Sequence, residues 1–151
     1  MRSVPTLPRT RRTLAISATL AAVVLLASCY SSSQIKAATL IDDSRTARGL
    51  SSLTVSPEAM SKAQDWAVHM SRTGVLEHTG GGSRMSTAGL PRWCSAAENV
   101  AKASSTTAAH SKLMSSPGHR ANILGPYNRV GTGVVRKGTV VWVVQIFFRA
   151  C

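Results

Sequence analysis

The sequence predicts an α+β fold, an α-β-α sandwich in which a small antiparallel sheet is covered by helices on both faces. Three observations predict it. Helical patterns fill the chain up to Leu124, and β-rich sequence is confined to Arg129–Arg149. In the last strand Val140, Trp142, Val144, Ile146 and Phe148 face one way, and Val141, Val143, Gln145 and Phe147 the other. Both faces are apolar, so the strand needs cover on both sides and belongs at the centre of its sheet. Finally, 151 residues are enough for one domain.

The first 29 residues read as an export leader. Arg2, Arg9, Arg11 and Arg12 precede an apolar run from Leu14 to Ala27, which ends in Leu26-Ala27-Ser28-Cys29. As a helix the run reaches about 21 Å, short of the roughly 30 Å hydrocarbon core, so a permanent span is not expected. Its end resembles a bacterial lipobox, which makes Cys29 the lipid-bearing first residue of the mature protein. The alternative is an ordinary cleaved leader with a cysteine there by chance.

Tyr30–Ala38 is Ser-rich and aperiodic and reads as a tether; the domain proper is expected over 39–151. Thr39–Arg48 is helix-compatible and stops at Gly49. After a connector through Val55, Ser56 caps a stronger helix opened by Pro57 and Glu58. Its stripe is Met60, Ala63, Ala67 and Met70, and Gly74 ends it. His69 lies off that stripe and reads as solvated. The run Gly80-Gly81-Gly82 lacks the spacing and lysine of a phosphate loop and reads as a mobile loop. Ser83–Leu90 suggests a helical turn, broken by Pro91-Arg92-Trp93-Cys94. Ser95–Ala101 sets Glu98 among small apolar residues. Thr106–Met114 is again helical, with His110 lacking evident partners. Ser116 then caps a short helix with Pro117 at its first position, and His119 sits in the first turn, where the dipole disfavours an imidazolium. Arg129–Arg136 and Thr139–Arg149 form a hairpin turning at Lys137-Gly138.

The charge balance is 18 Lys+Arg against 6 Asp+Glu. Without the four leader arginines the excess of positive charge is still eight. These cations are scattered singly, with no basic run interleaved with aromatics, so nucleic acid is not an expected partner. Envelope polymers and lipid headgroups are the anionic neighbours of an exported chain. If Cys29 carries lipid, Cys94 and Cys151 remain as an even pair in an oxidising compartment. A bond between them would close a long loop worth about 4 kcal/mol and tie down the last residue.

Few residues are available for chemistry. Asp42, Asp43, Glu58 and Asp65 read as helical surface charges, leaving Glu77 and Glu98. His78 and His119 stand at points where structure changes. No His-Glu-x-x-His, Cys-x-x-Cys or Gly-x-Ser-x-Gly pattern is present.

Thr39–Cys151 nevertheless resembles a small bacterial member of the CAP superfamily, which contains cysteine-rich secretory proteins, antigen 5 and plant pathogenesis-related proteins. The resemblance is carried, in family order, by Leu40–Leu50, Ala63-Gln64-Asp65-Trp66-Ala67, Gly74-Val75-Leu76-Glu77-His78-Thr79, Ala97-Glu98-Asn99-Val100-Ala101, Ser116–Leu124, Val130-Gly131-Thr132-Gly133-Val134 and the closing Val140–Phe148 strand. It implies an α-β-α sandwich with a cleft lined by two histidines and two glutamates, able to hold a divalent cation such as Zn²⁺ in some members. His78, Glu98 and His119 take three of these positions; Ser116 stands where the second glutamate would be, and Leu113 where a tryptophan is common.

The resemblance, the lipobox and the lack of a nucleophile motif together lead to one expectation. This is an exported, lipid-anchored, monomeric protein of the bacterial cell envelope, binding a lipid, polymer or protein ligand in the His/Glu/His cleft. The alternative is a metal-assisted or serine-type hydrolase built on the same cleft.

Overall fold

A computed structural model describes residues 30–151. The expected leader and lipobox, residues 1–29 with Cys29, lie outside the described residues. The elements are α1 (Ser32–Thr46), β1 (Thr54–Val55), α2 (Pro57–Thr73), β2 (Trp93–Ala103), α3 (Thr106–Ser115), α4 (Pro117–Ile123), β3 (Arg129–Lys137) and β4 (Val140–Ala150). No helix among the described residues is long and apolar enough to cross a membrane.

The segment expected as a tether is the first part of α1. The Ser31 side chain accepts from Gln34 N–H at 3.2 Å, and Gln34 Oε1 accepts from Ser31 N–H at 3.0 Å. This reciprocal capping box turns a serine run into a helix start. Gln34 is buried against the sheet, donating to Thr132 O at 3.0 Å and accepting from the Thr132 hydroxyl through its own carbonyl at 2.8 Å. A polar residue thus does the anchoring that a hydrophobic pattern would have signalled.

The four strands lie in the order β1-β3-β4-β2. The last strand is internal, as its two apolar faces require. The sheet is not wholly antiparallel: β1 pairs in parallel with β3 through Thr54↔Arg129 and Val55↔Val130. A parallel pair needs a long connection, and the chain from α2 to α4 supplies it. β2 had no sequence-level strand signal, because Ala96, Ala97, Ala101 and Ala103 carry little β preference. It forms through ten paired positions along β4, from Trp93↔Ala150 to Ala103↔Val141. Ser83–Leu90 forms turns without a helix.

The two faces of β4 fall into two cores. Val141, Val143 and Phe147 pack with Ala37 and Ile41 of α1 and Leu113 of α3. Trp142, Val144, Ile146 and Phe148 pack with Ala59, Ala63, Ala67 and Met70 of α2. Facing α2, β3 presents Gly131 and Gly133. A Cβ at Gly131 would fall 2.5 Å from Ala59 Cβ, and one at Gly133 2.5 Å from Gln64 N. Glycine on alanine lets the helix lie directly on the strand. At the far end of the sheet, Cys94 is disulfide-bonded to Cys151, joining the start of β2 to the end of the chain as the cysteine count predicted.

Candidate functional site

The three expected site residues come from three elements that meet along the free edge of β2. Glu98 sits mid-strand, paired with Ile146 of β4, and its side chain is fully buried. Its Oε1 accepts two hydrogen bonds, from His78 Nδ1 at 2.8 Å and from Thr79 N–H at 2.9 Å. Oε2 is buried and has no partner among the described residues. A carboxylate only accepts, so Nδ1 of His78 carries the proton of this bond.

His78 is held from its own loop as well. His78 N–H donates to Gly82 O at 3.0 Å and Gly81 N–H donates to His78 O at 2.8 Å. Gly80 N–H donates to Arg84 O at 2.8 Å. The glycine run expected as a mobile loop is therefore closed on itself; Gly81 and Gly82 adopt φ of 83° and 56°, which only glycine takes readily. The loop presents His78 to the strand.

His119 is the third residue of α4. Ser116 precedes that helix as its N-cap residue, but its hydroxyl makes no cap bond to the helix backbone. It pairs instead with His119 Nδ1 at 2.9 Å. The pKa of His119 is lowered, first by burial and then by the nearby His78, so the His119 imidazole favours the neutral form.

Three residues that sequence reasoning left without a role position α4. Asn99, next to Glu98 but on the opposite face of β2, donates to His119 O at 3.0 Å and to Gln145 Oε1 at 3.1 Å. Asn122 donates to Asn99 Oδ1 at 2.9 Å. Arg45, which read as one scattered charge, is buried and donates from Nη1 to both Ile123 O and Gly125 O at 2.9 Å. Burial lowers its pKa, partly offset by Asp42. The signal for these roles was present only as Asn99 and Asn122 inside apolar stretches.

The other histidines are structural. His69 stacks on Trp66 with centroids 4.3 Å apart and faces Glu77 at 3.4 Å. His110 is buried and shares a 2.8 Å hydrogen bond with Ser44, joining α3 to α1.

Glu98 Oε1 is committed to His78 and Thr79, while Oε2 stays without a partner among the described residues. Beside the site, a groove of about 650 Å³ runs between α2 and the following loop, lined by Glu58, Lys62, Asp65, Trp66 and Thr79 among others. Thr79 belongs to both the groove and the Glu98 network.

Comparison with known proteins decides the family. The model for the CAP, cysteine-rich secretory protein family matches residues 38–147. The chain belongs to the CAP family. Among solved structures, this CAP domain is similar to an extracellular protein containing an SCP domain from Bacillus anthracis, with TM-score 0.67 and 24% identity over 78% of this chain and 40% of that one. It is also similar to an outer surface protein from Borrelia burgdorferi, with TM-score 0.63 and 13% identity over 76% and 90% of the two chains. A cysteine-rich secretory protein from Staphylococcus aureus matches with TM-score 0.60 and 18% identity over 78% and 38%. At these identities the likeness is one of fold. No curated protein sequence matches this chain.

Proposed function

We propose that this CAP domain is a non-catalytic binding module of the bacterial cell envelope, exported and lipid-anchored through Cys29, which takes its ligand at the His78/His119 edge and the adjoining groove. The observation that carries the reading is the commitment of Glu98 to His78 and Thr79. A carboxylate held this way orients an imidazole and holds a loop, but it is not offered to a substrate. The surface left for a ligand is two imidazole edges beside a groove with acidic, basic, hydroxyl and aromatic groups, which suits hydrogen-bonded recognition. Similarity to extracellular and outer-surface proteins supports export.

A second reading, a serine-type hydrolase, is favoured by one contact, the 2.9 Å pairing of Ser116 with His119. Against it, a base ring of this kind is ordinarily oriented by a carboxylate, and Glu98 serves the other histidine.

Equilibrium binding to extracted envelope lipids and polymers tests the proposal, with His78→Ala and His119→Ala as variants. Binding that weakens at least about ten-fold in both variants, each still folded by thermal melting and without turnover, is the expected result. Hydrolysis of ester or peptide substrates that disappears in Ser116→Ala would overturn it. Calorimetric titration with Zn²⁺ is the companion measurement, and no three-ligand binding is expected.

A further inference from the structure

The positive charge of this chain is unspent, and the topology sorts it. Among the described residues the only side-chain ion pairs are His69–Glu77 and His78–Glu98. No lysine or arginine among them is neutralised by a carboxylate. β3 runs from Arg129 to the hairpin, and α2 runs alongside it: Ser56 N–H donates to Val130 O at 2.9 Å, and Lys137 Nζ reaches Ser71 O at 2.9 Å. The hairpin end therefore gathers exposed Arg72, Lys102, Arg136 and Lys137. Arg136 donates through both terminal nitrogens to Ser104 O at 3.4 Å, and the Lys102 ammonium lies 5.4 Å from the Trp142 ring centroid. Carbonyls and a ring leave all four charges whole. A hollow of about 410 Å³ opens among Lys102, Ser104, Thr139 and Trp142, large enough for a phospholipid headgroup. The carboxylates are elsewhere: Asp42 and Asp43 late in α1, Glu58 and Asp65 in the first half of α2, Glu98 buried, and Glu77 with His69.

The direction of α1 decides where the N-terminal segment leaves. Gln34 lies beside Thr132, whereas Arg45 reaches Ile123 O and Gly125 O ahead of β3. α1 is thus antiparallel to β3, and Ser31 opens on the hairpin side. Gln34 back to Ser31 is about 4.5 Å of helix. Thr132 to Lys137 covers about 17 Å of strand. Ser31, which opens α1, therefore lies on the hairpin side of Thr132.

We propose that the β3–β4 hairpin end, with Arg72, Lys102, Arg136 and Lys137, is a docking surface for an anionic phospholipid bilayer, brought to it by the lipid on Cys29. Its geometry rests on the anchored reading above, and its chemistry on the basic end alone. The field of an anionic leaflet decays within a Debye length of about 8 Å at physiological salt, so the hairpin end is drawn in once an anchor holds the domain at the membrane.

The test uses residues 30–151. Ser31–Cys151 is one compact unit that contains both cores and the disulfide. Co-sedimentation with phosphatidylcholine vesicles, with and without phosphatidylglycerol, reads the interaction, and thermal melting confirms that each variant is folded. The expected result is binding only to the anionic vesicles. Combined Lys102→Gln, Arg136→Gln and Lys137→Gln should weaken it about 100-fold, from about five-fold per charge. Combined Arg48→Gln, Arg129→Gln and Arg149→Gln, at the opposite end, should change it less than about two-fold. Equal loss in the two variants overturns the proposal, as does binding to soluble polyphosphate with none to vesicles. Mass spectrometry of the processed N-terminus separates the two readings. An acylated Cys29 without vesicle binding sinks the surface and leaves the anchor. Hairpin-dependent binding without acylation sinks the anchor and leaves the surface.

Discussion

Glu98 holds two donors with one oxygen while the other is buried alone, so its removal exposes a simple deficit. Glu98→Ala leaves His78 Nδ1 and Thr79 N–H without their acceptor, and urea denaturation should show a loss of about 1.5–3 kcal/mol. Nitrogen-15 NMR should report His78 as the Nδ1-protonated tautomer in the wild type and as a mixture in the variant; unchanged tautomers would mean that the pair does not orient the ring. His110 gives a second residue-scale prediction. Burial lowers its pKa below the ordinary 6.5, with Asp43 opposing. Between its folded value and 6.5 the unfolded chain binds more protons than the folded one. Stability therefore rises with pH through that window and is lost as pH falls. His119, lowered by burial and then by His78, acts in the same direction. The melting temperature should climb as pH is raised toward neutrality, and His110→Asn should flatten part of that slope. Histidines were legible as candidates in the sequence because they flank structural breaks. Which of them would be buried against a carboxylate and which against a serine was not, since Ser44 and His110 are 66 positions apart.

At the scale of elements, the contact of α2 with β3 is the most sensitive to a single atom. Gly133→Ala places a methyl against the Ala63 backbone, where neither the helix nor the strand can yield cheaply. Equilibrium unfolding should register a loss of about 3 kcal/mol or more, the upper range for overpacking; a near-neutral result would show that α2 can lift off. α2 itself was readable, because its serine cap, proline start, alanine stripe and glycine end all agree. β2 was not, because its strand character comes from pairing with β4, with little from its own alanines. The start of α1 was missed for the opposite reason: its signal is a local capping box that an aperiodic serine run concealed.

For the whole molecule, the disulfide closes 57 positions of chain onto the adjacent ends of β2 and β4. Replacing both cysteines by serine should lower stability by about 4 kcal/mol in chemical denaturation, mostly through a freer unfolded chain. A variant that unfolds at the wild-type denaturant midpoint would remove the bond from the stability of the domain. The hairpin end concentrates charge only because α2, β2 and β3 all terminate or turn there. The composition carried the excess of cations but could not say that four of them share one end.

The linear order of residues was sufficient for the fold class, the central last strand and the cysteine pair, and it singled out His78, Glu98 and His119 as candidates. Each rests on a short-range signal: two-residue alternation, a cap, a count, or an ordered set of motifs that resembles a known family. Tertiary structure alone decided what the site residues do to one another. Glu98 bonds His78 and Thr79, and Ser116 binds His119 instead of capping α4. Asn99, Asn122 and Arg45 hold α4 in place. Most of these partners lie on different elements, and a hydrogen bond between groups 20 or more positions apart leaves no periodicity to read. The exception is local: Ser116 and His119 are three positions apart, and the ring outcompeted the helix N–H groups for the hydroxyl.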